Sequence, residues 1–340
     1  MANSKLNNAK SAKKDEFYTQ IEDIENELRH YRSQFKDKVV LCNCDDPRVS
    51  NFTKYFTLNF EFFGLKKLIC TCYKNNEPDL FSTLQSEQAI YTVYEGDKNG
   101  DRVANDDEFE IHPLKGDGDF RSPECIELLK QADIVVTNPP FSLFREYIAQ
   151  LVEYDKKFLI MGNMNALHYS EVFPLIQQNK VWLGYNANKT MKFALPDHYE
   201  KWNEIVNGVK YGKVPAITWF TNLDTETRHQ EMILFKRYTP EEYPTFQNFN
   251  AINVNKVTDI PCDYDGYMGV PDTFLIEYNP DQFELIGVGS GKLGQSIGIG
   301  GIPKEHKAQM RGHSAAGDLY YLQPDGTPKV PYSRIVIKRK

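Results

Sequence analysis

The sequence lacks the features of a membrane or secreted protein. None of its apolar runs approaches the length needed to cross a bilayer. Residues 1–16 are polar, carry four lysines and contain no apolar segment like that of a signal peptide. We therefore expect a cytoplasmic protein with no membrane partner. Residues 1–16 are predicted to be a flexible arm, and contact with nucleic-acid phosphates is the alternative for them.

An excess of positive charge is also absent. The formal net charge is −7, from 40 basic and 47 acidic residues. This balance argues mildly against a nucleic-acid partner but leaves room for a local basic face. In other respects the composition is that of a globular protein, and 340 residues suffice for one large or two modest domains.

Cysteine is sparse and gives little support for a metal site. Cys42 with Cys44, and Cys70 with Cys72, form two Cys-x-Cys pairs within apolar strand-like runs. Residues i and i+2 of a strand share one face, so buried small side chains are a simpler interpretation than zinc. The acidic turn at residues 97–108 has strand-like flanks and lacks the glycine that a calcium loop requires. We expect no metal.

The most informative stretch is ADIVVTNPPF, residues 132–141. Its β-branched residues predict a strand buried on both faces. Asn138 follows where that strand should end, and Pro139 and Pro140 prevent a strand or a helix from continuing. Ser142 is predicted to open a helix. The apolar positions of that helix fall on one stripe: Leu143, Phe144, Tyr147, Ile148, Leu151 and Val152.

The proline turn offers acceptors to an amino group. Its carbonyls have no ladder partner, and the Asn138 side chain adds another acceptor. Phe141 supplies an aromatic face on which a planar ring can stack. A turn that merely ends a strand is the alternative, but the strand before it and the helix after it favour a binding function. Asn-Pro-Pro-Phe resembles the catalytic motif of S-adenosylmethionine-dependent amino-methyltransferases, in the form specific for adenine N6.

The earlier residues predict a doubly wound, mostly parallel α/β sheet of Rossmann-like type. Thr19 and Glu22 form a capping box ahead of a helical stripe. Buried strands at 39–44 and 67–72 flank a helix and make a βαβ unit. An Asn-Gly pair predicts a hairpin. Further strand-like runs lie at 158–163, 181–185, 214–220 and 232–235.

Polar residues follow three of these predicted strands. Asp46 comes after the first strand, Asp119 comes after the hairpin, and Asn138 comes after the strand of the proline turn. The carboxyl ends of strands share one edge in a doubly wound sheet, so we expect the three residues to converge on one pocket.

The amino-acid composition changes after about Tyr238, where Pro, Gly, Asn and Tyr become frequent. Residues 287–301 are glycine-rich and predict a flexible loop that orders on a ligand. A phosphate loop is rejected because Leu293 stands where Ser or Thr is required. A basic patch follows, for which a solvated face is as good an explanation as phosphate contact. The candidate phosphate-binding residues are Lys292, Lys304, Lys307 and Arg311.

Taken together, these motifs resemble the EcoRI-type family of adenine-specific DNA methyltransferases. The resemblance covers nearly the whole chain and is weakest at 185–213 and 288–318. The blocks that carry it are DEFYT (15–19), CNCDDPRVSNF (42–52), GDGDFRS (116–122), TNPPFSLFREY (137–147), TNLD (221–224), AINVNK (251–256) and MGVP (268–271).

The resemblance implies a site for S-adenosylmethionine. Tyr18 and Thr19 would lie against the methionine part of the cofactor, Asp119 would accept from the adenine amino group, and Phe120 would pack on that ring. The predicted cofactor residues are Tyr18, Thr19, Asn43, Asp45, Asp46, Pro47, Asp117, Asp119 and Phe120. The sequence departs from the usual pattern in two places. The glycine-rich turn is replaced by residues 49–52, and Cys72-Tyr73-Lys74 stands in place of a ribose-binding acid.

The implied activity is N6-methylation of a flipped-out adenine in double-stranded DNA, without an obligate protein partner. The predicted catalytic residues are Asn138, Pro139, Pro140 and Phe141. Residues 17–238 would form the catalytic domain and residues 239–340 a target-recognition region. The alternatives are methylation of RNA or of a protein glutamine, and a non-catalytic DNA-binding relative. The long region beyond the sheet favours DNA, and the acidic edge with Asn138 favours an enzyme.

Overall fold

The computed structural model describes residues 18–44, 46–48, 50–72, 89–101, 104–187, 189–195, 202–213, 216–310 and 315–340. Asp45, Arg311 and the predicted arm of residues 1–16 lie outside them. The chain divides into two compact units. The first comprises residues 1–164 and 183–224, and the second comprises residues 165–182 and 225–340. No helix in the described ranges combines the length and the apolar character needed to cross a membrane.

The first unit contains a large central sheet, a smaller antiparallel sheet and six helices among its described residues. These elements are β1 (Tyr18–Thr19), α1 (Ile21–Leu28), α2 (Arg32–Phe35), β2 (Val39–Cys42), α3 (Asn51–Leu58), α4 (Phe60–Phe63), β3 (Lys67–Thr71), β4 (Ile90–Tyr94), β5 (Phe109–Pro113), α5 (Pro123–Gln131), β6 (Ile134–Thr137), α6 (Phe144–Glu153), β7 (Lys157–Asn163), β8 (Trp182–Leu183), β9 (Lys192–Leu195), β10 (Glu204–Val206), β11 (Val209–Lys213) and β12 (Ile217–Thr221).

The central sheet has the strand order β5-β4-β3-β2-β6-β7-β12-β8. Its centre is parallel, because β2 pairs in parallel with β3 and β6, and β6 pairs in parallel with β7. Antiparallel strands flank this centre: β4 and β5 form the predicted hairpin on one side, and β12 joins β7 on the other. The prediction of a Rossmann-like α/β fold is confirmed. The smaller sheet has the order β1-β9-β11-β10.

The helical stripes predicted from the sequence form the core. Ile24, Leu28, Tyr31 and Phe35 are fully buried, whereas Ile21 at the start of the stripe is 40% exposed. In α6 the buried residues are Phe144, Tyr147, Ile148 and Leu151. Burial of one face, rather than intrinsic propensity, therefore stabilises these helices.

Both predicted helix starts are wrong. The residue before α1 is Gln20, and it makes no side-chain capping bond. Thr19 lies instead in β1, where its hydroxyl contacts the Met161 sulfur at 3.1 Å. Ser142 lies in a 3-10 turn, Phe141–Leu143, that precedes α6. For Thr19, tertiary contacts override a local sequence signal.

The second unit is rich in β-structure. It contains α7 (Phe173–Gln177), β13 (Ala251–Asn253), β14 (Tyr267–Pro271), β15 (Phe283–Val288), α8 (Gly291–Ser296), α9 (Lys304–Gln309), β16 (Tyr321–Leu322), β17 (Pro328–Lys329) and β18 (Arg334–Arg339). One sheet has the order β13-β14-β18-β15, and β16 pairs with β17. Its core includes Phe246, Leu319 and Val336.

Two predictions for this unit are wrong. Residues 287–301 are not a flexible loop, because they include the end of β15 and all of α8. The glycines allow close packing there: a Cβ on Gly294 or Gly317 would collide with the backbone of the facing segment. The run at 232–235 is no strand of the central sheet. Its first residue, Met232, exchanges hydrogen bonds with the Gln282 side chain at 2.8 Å.

The compact units do not coincide with the predicted domain boundary at residue 238. The chain enters the second unit at Asn165, returns at Leu183, and leaves the first unit after Asp224. The assignment of catalysis to residues 17–238 and of target recognition to residues 239–340 concerns function, and it stays a prediction.

A buried carboxylate anchors α1 to the segment between β8 and β9. Glu27 is fully buried, and one carboxylate oxygen accepts from the Tyr31 hydroxyl at 2.8 Å and from the Tyr185 backbone N–H at 2.7 Å. The other accepts from the backbone and side-chain nitrogens of Asn186, each at 2.9 Å. Burial raises the pKa of Glu27, and these four donors oppose that rise.

Replacing Glu27 with Gln should destabilise the first unit by about 2–4 kcal/mol, because the amide NH₂ would face two donors in either orientation. The measurement is denaturant unfolding followed by circular dichroism. Glu25→Gln, an exposed change on the same helix, is the matched control and should leave the midpoint unchanged. Equal midpoints for the two variants would contradict this role of Glu27.

Candidate active site

Three loops of the first unit lie at one edge of the central sheet. β2 and β6 are parallel, so the turns that follow them emerge at the same edge. β5 is antiparallel to β4, and β4 is antiparallel to β3, so β5 also ends at that edge. The loops carrying Asp46, Asp119 and Asn138 therefore share the edge where open α/β sheets bind ligands.

Asn43 joins the turn after β2 to the turn after β6. The Thr137 hydroxyl donates to the Asn43 carbonyl, and the Tyr147 hydroxyl donates to Asn43 Oδ1. All three residues are buried. Burial raises the pKa of Tyr147 well above its usual value, so its hydroxyl remains a donor. The Asn43 amide nitrogen donates no hydrogen bond within the described chain, which leaves it available to a ligand.

Phe120 is fixed against the same helix. Its ring meets the Tyr147 ring edge-on, with 5.0 Å between centroids, and its carbonyl accepts from Gln150 Nε2 at 3.1 Å. Arg121 reinforces this contact through an ion pair with Glu146 at 2.7 Å. Helix α6 thus holds the loop after β5 and, through Tyr147, the turn after β2.

Two carboxylates of this edge share one local geometry. In Asp119-Phe120-Arg121 and in Asp46-Pro47-Arg48, the aspartate accepts from the backbone N–H two residues later, at 2.8 Å and 3.0 Å. The guanidinium of the arginine at that position also donates to both carboxylate oxygens, at 2.9 and 2.6 Å for Asp119. For Asp46 the corresponding distances are 2.9 and 2.7 Å.

This geometry sets the charge of Asp119. The hydrogen bonds from Arg121 hold the pKa of Asp119 below its usual value, although partial burial opposes them. Oδ1 accepts two bonds and Oδ2 accepts one. A carboxylate oxygen has two lone pairs, so Oδ2 retains capacity for one further donor. Asp117 is exposed and orients the loop by accepting from the Asp119 backbone N–H at 3.0 Å.

The predicted methionine-binding residues lie beside β9 and α3. β1 pairs with β9, placing Tyr18 opposite Ala194. The Thr19 carbonyl accepts from Asn51 Nδ2 at 2.7 Å. Thr19 itself is buried.

The proline turn differs from expectation in one acceptor. The Pro140 carbonyl accepts from the Leu143 backbone N–H at 2.9 Å, because the chain begins a helical turn there. No described backbone N–H bonds the Pro139 carbonyl, so the predicted acceptors fall from three to two, this carbonyl and the Asn138 side chain. Asn138 is 8% exposed, and Phe141 packs partly buried against the core.

Two cysteines lie at the ends of β2 and β3, close to the two departures from the family pattern. Cys44, in the turn directly after β2, adopts a left-handed backbone conformation with φ 85°. At the end of β3, burial raises the pKa of Cys72 to about 11. A neutral thiol therefore stands where a charged ribose acceptor is usual.

The described candidate phosphate-binding residues belong to the second unit. Lys292 lies on α8, and Lys304 and Lys307 lie on α9. All three are exposed, and none forms an ion pair with a described carboxylate. No group of three or more potential metal ligands occurs in the described ranges.

Comparison with known proteins identifies the family. A model of the family described as "Adenine-specific methyltransferase EcoRI" matches residues 5–340. The chain belongs to this family. It is 47% identical to the type II methyltransferase M.EcoRI of Escherichia coli, over 99% of this chain and 97% of that protein. No solved structure matches the chain.

Two mycoplasma proteins are also similar to this adenine-specific methyltransferase. The type II methyltransferase M.MgeORF184P of Mycoplasma genitalium is 42% identical over 83% of this chain and 85% of its own length. M.MpnI of Mycoplasma pneumoniae is 41% identical over 83% of this chain and 84% of its own. As a methyltransferase, the chain requires a methyl donor.

Sequence reasoning missed three residues of the candidate site. Tyr147 was assigned to the apolar stripe of a helix, yet its hydroxyl bonds Asn43. Arg48 and Arg121 were overlooked as partners of the two aspartates. The repeated Asp-x-Arg spacing was a signal that could have revealed both pairs.

Proposed function

We propose that this adenine-specific DNA methyltransferase transfers a methyl group from S-adenosylmethionine to N6 of an adenine flipped out of double-stranded DNA. The observation that carries the proposal is the buried Asn138-Pro139 turn at the sheet edge shared with Asn43 and Asp119. The proposed substrate also implies a cytoplasmic enzyme, acting without an obligate protein partner.

The residues at this edge fit an adenosyl cofactor. Asp119 retains one acceptor site for an adenine amino hydrogen, and Phe120 offers an apolar surface beside it. The Asn43 amide is held in place by Tyr147 and can donate to the nucleoside. Tyr18, Thr19, Asp46 and Pro47 complete the proposed site. When bound, S-adenosylmethionine supplies an activated methyl group on a sulfonium.

Asn138 and the Pro139 carbonyl are proposed to accept the two amino hydrogens of the target adenine. Both acceptors are fixed before the substrate arrives, because the prolines restrict the backbone and the turn is buried. Two accepted bonds increase the electron density on the amino nitrogen and orient its lone pair. Such preorganised dipoles can promote attack on an activated methyl group without a strong base.

The target amino group of duplex DNA faces its paired base, so the adenine must leave the helix, at a cost of a few kcal/mol. Phe141 is proposed to offset part of that cost by stacking, worth about 1–3 kcal/mol. Residues 239–340 are proposed to recognise the target, with Lys292, Lys304 and Lys307 contacting phosphates. Exposed lysines without a carboxylate partner suit that role.

Asp119→Asn should weaken S-adenosylmethionine binding about 5–150-fold, corresponding to about 1–3 kcal/mol, because the amide cannot both hold Arg121 and accept from adenine. Binding by the unaltered protein should persist as the pH falls, until the pH passes through the lowered pKa of Asp119. Titration calorimetry measures both. Asp155→Asn, an exposed change, serves as control, and equal affinities for the two variants would remove Asp119 from the site.

Asn138→Ala should lower the single-turnover rate of methyl transfer about 100–1000-fold, because one preorganised acceptor is lost. Fold and cofactor affinity should persist, since the proline turn remains. The assay is transfer of labelled methyl from S-adenosylmethionine to duplex DNA. Asn99→Ala, in the exposed hairpin turn, should retain the normal rate. A near-normal rate for folded Asn138→Ala would overturn the assignment of this turn as catalytic.

Lys304→Gln combined with Lys307→Gln should weaken binding to every duplex sequence. It should also reduce the slope of log affinity against log salt by about 1–2, because each lost phosphate contact removes about 0.9. Fluorescence anisotropy over a salt series measures the slope. Lys329→Gln with Lys338→Gln removes the same charge from exposed strand positions of the second unit. If both double variants keep the normal slope, α9 makes no phosphate contact.

A further inference from the structure

A basic cleft lies at the other end of the central sheet. Its volume is about 560 Å³, and it is lined by the stretch from Arg29 to Lys36, which includes α2, and by α4 with its C-terminal Gly64. Lys36 and Gly64 each stand three residues before a strand, β2 and β3 respectively. The cleft therefore lies at the amino ends of these strands, whereas Asn138 follows the carboxyl end of β6.

Three permanent cations of this cleft lie on one helical face. A 3-10 turn, Arg29–Tyr31, links α1 to α2. Arg29, Arg32 and Lys36 each follow directly after a residue of the buried stripe of Leu28, Tyr31 and Phe35, so they lie on the neighbouring, exposed face. All three cations are exposed, and none has a carboxylate partner in the described chain. Like charges at this spacing repel, so an anion bound between them would relieve an unfavourable arrangement.

The acid in the lining does not neutralise these cations. Of the described lining residues only Glu61 is acidic. The Glu61 carboxylate lies beside Gly96, with Oε1 3.3 Å from the position that a Cβ on this glycine would occupy. Glu61 forms no ion pair with Arg29, Arg32 or Lys36. The described lining thus carries three permanent cations and one carboxylate.

The Arg32 guanidinium is held in a fixed orientation. Its Nε donates to the Phe62 carbonyl at 3.0 Å, and its central carbon lies 3.8 Å from the centroid of the Phe62 ring. The terminal nitrogens make no hydrogen bond within the described chain. A stacked guanidinium with both terminal nitrogens available suits two-point recognition of a phosphate. The half-exposed Phe62 ring adds an apolar surface at the same place.

We propose that this cleft binds phosphate esters at a site separate from methyl transfer. Three cations, one of them the fixed guanidinium of Arg32, match the charge and the oxygen geometry of a phosphate, and the volume accommodates a nucleotide. A free nucleotide and the backbone of a nucleic acid share this chemistry. The inference is independent of the proposed catalytic turn, because the cleft and that turn lie at opposite ends of the strands.

The test removes two cations and leaves the Arg32–Phe62 contact intact. For Arg29→Gln combined with Lys36→Gln, we expect ATP to bind at least about tenfold more weakly by calorimetry, or the salt slope for a duplex to fall by about 1–2. The duplex contains only G·C pairs, so it cannot occupy the adenine site. Single-turnover methylation should keep its normal rate, which separates failure here from failure of the proposed function.

The pattern of results distinguishes the two sources of phosphate. Weaker ATP binding with an unchanged duplex slope assigns the cleft to a nucleotide, and a reduced slope assigns it to the nucleic-acid backbone. Lys54→Gln with Lys213→Gln removes the same charge elsewhere in the first unit and should change neither quantity. Arg32→Lys keeps the charge but loses the fork, and it should also weaken binding. The proposal is overturned if the first double variant changes neither quantity, or if the control changes them equally.

Discussion

The site depends on the fixation of Asn43. Its carbonyl accepts from Thr137 at the end of β6, and its side chain accepts from Tyr147 on α6. These two bonds join the turn after β2 to the strand and the helix that flank the proline turn. Because all the groups are buried, loss of either donor would leave an acceptor without water to replace it. The same helix contacts Phe120, so α6 links the turn after β2 to the loop after β5.

The negative charges of two aspartates at this edge are each balanced by an arginine that is close in sequence. Asp46 and Asp119 each pair with an arginine two residues later, so both carboxylates keep a defined orientation. The hydrogen bonds from Arg121 also hold the pKa of Asp119 below its usual value. The negative net charge of the chain does not prevent binding of a polyanion, because basic residues cluster at two other places in the chain. Lys304 and Lys307 lie on α9, and Arg29, Arg32 and Lys36 line the cleft at the amino ends of β2 and β3.

Prediction from the sequence succeeded where a feature depends on a repeating pattern. The run Ile134–Thr137 was identified as a buried strand because consecutive apolar β-branched residues fit a parallel sheet. It failed where contacts with residues distant in sequence decide the outcome. Thr19 has the side chain of a helix cap, yet it pairs with β9. Glycines at 287–301 suggested flexibility, whereas Gly294 allows two segments to pack closely.

The sequence alone determined the α/β class, the strand before the Asn-Pro-Pro-Phe turn and the family resemblance, because periodicity and short motifs are local properties. Only the tertiary structure decided that Tyr147 bonds Asn43 and that the Pro140 carbonyl is occupied. It alone also showed that Arg29, Arg32 and Lys36 line a cleft together with α4. These contacts join residues that are distant in sequence. Side-chain hydrogen bonds between such residues produce no periodic pattern in the sequence from which they could be predicted.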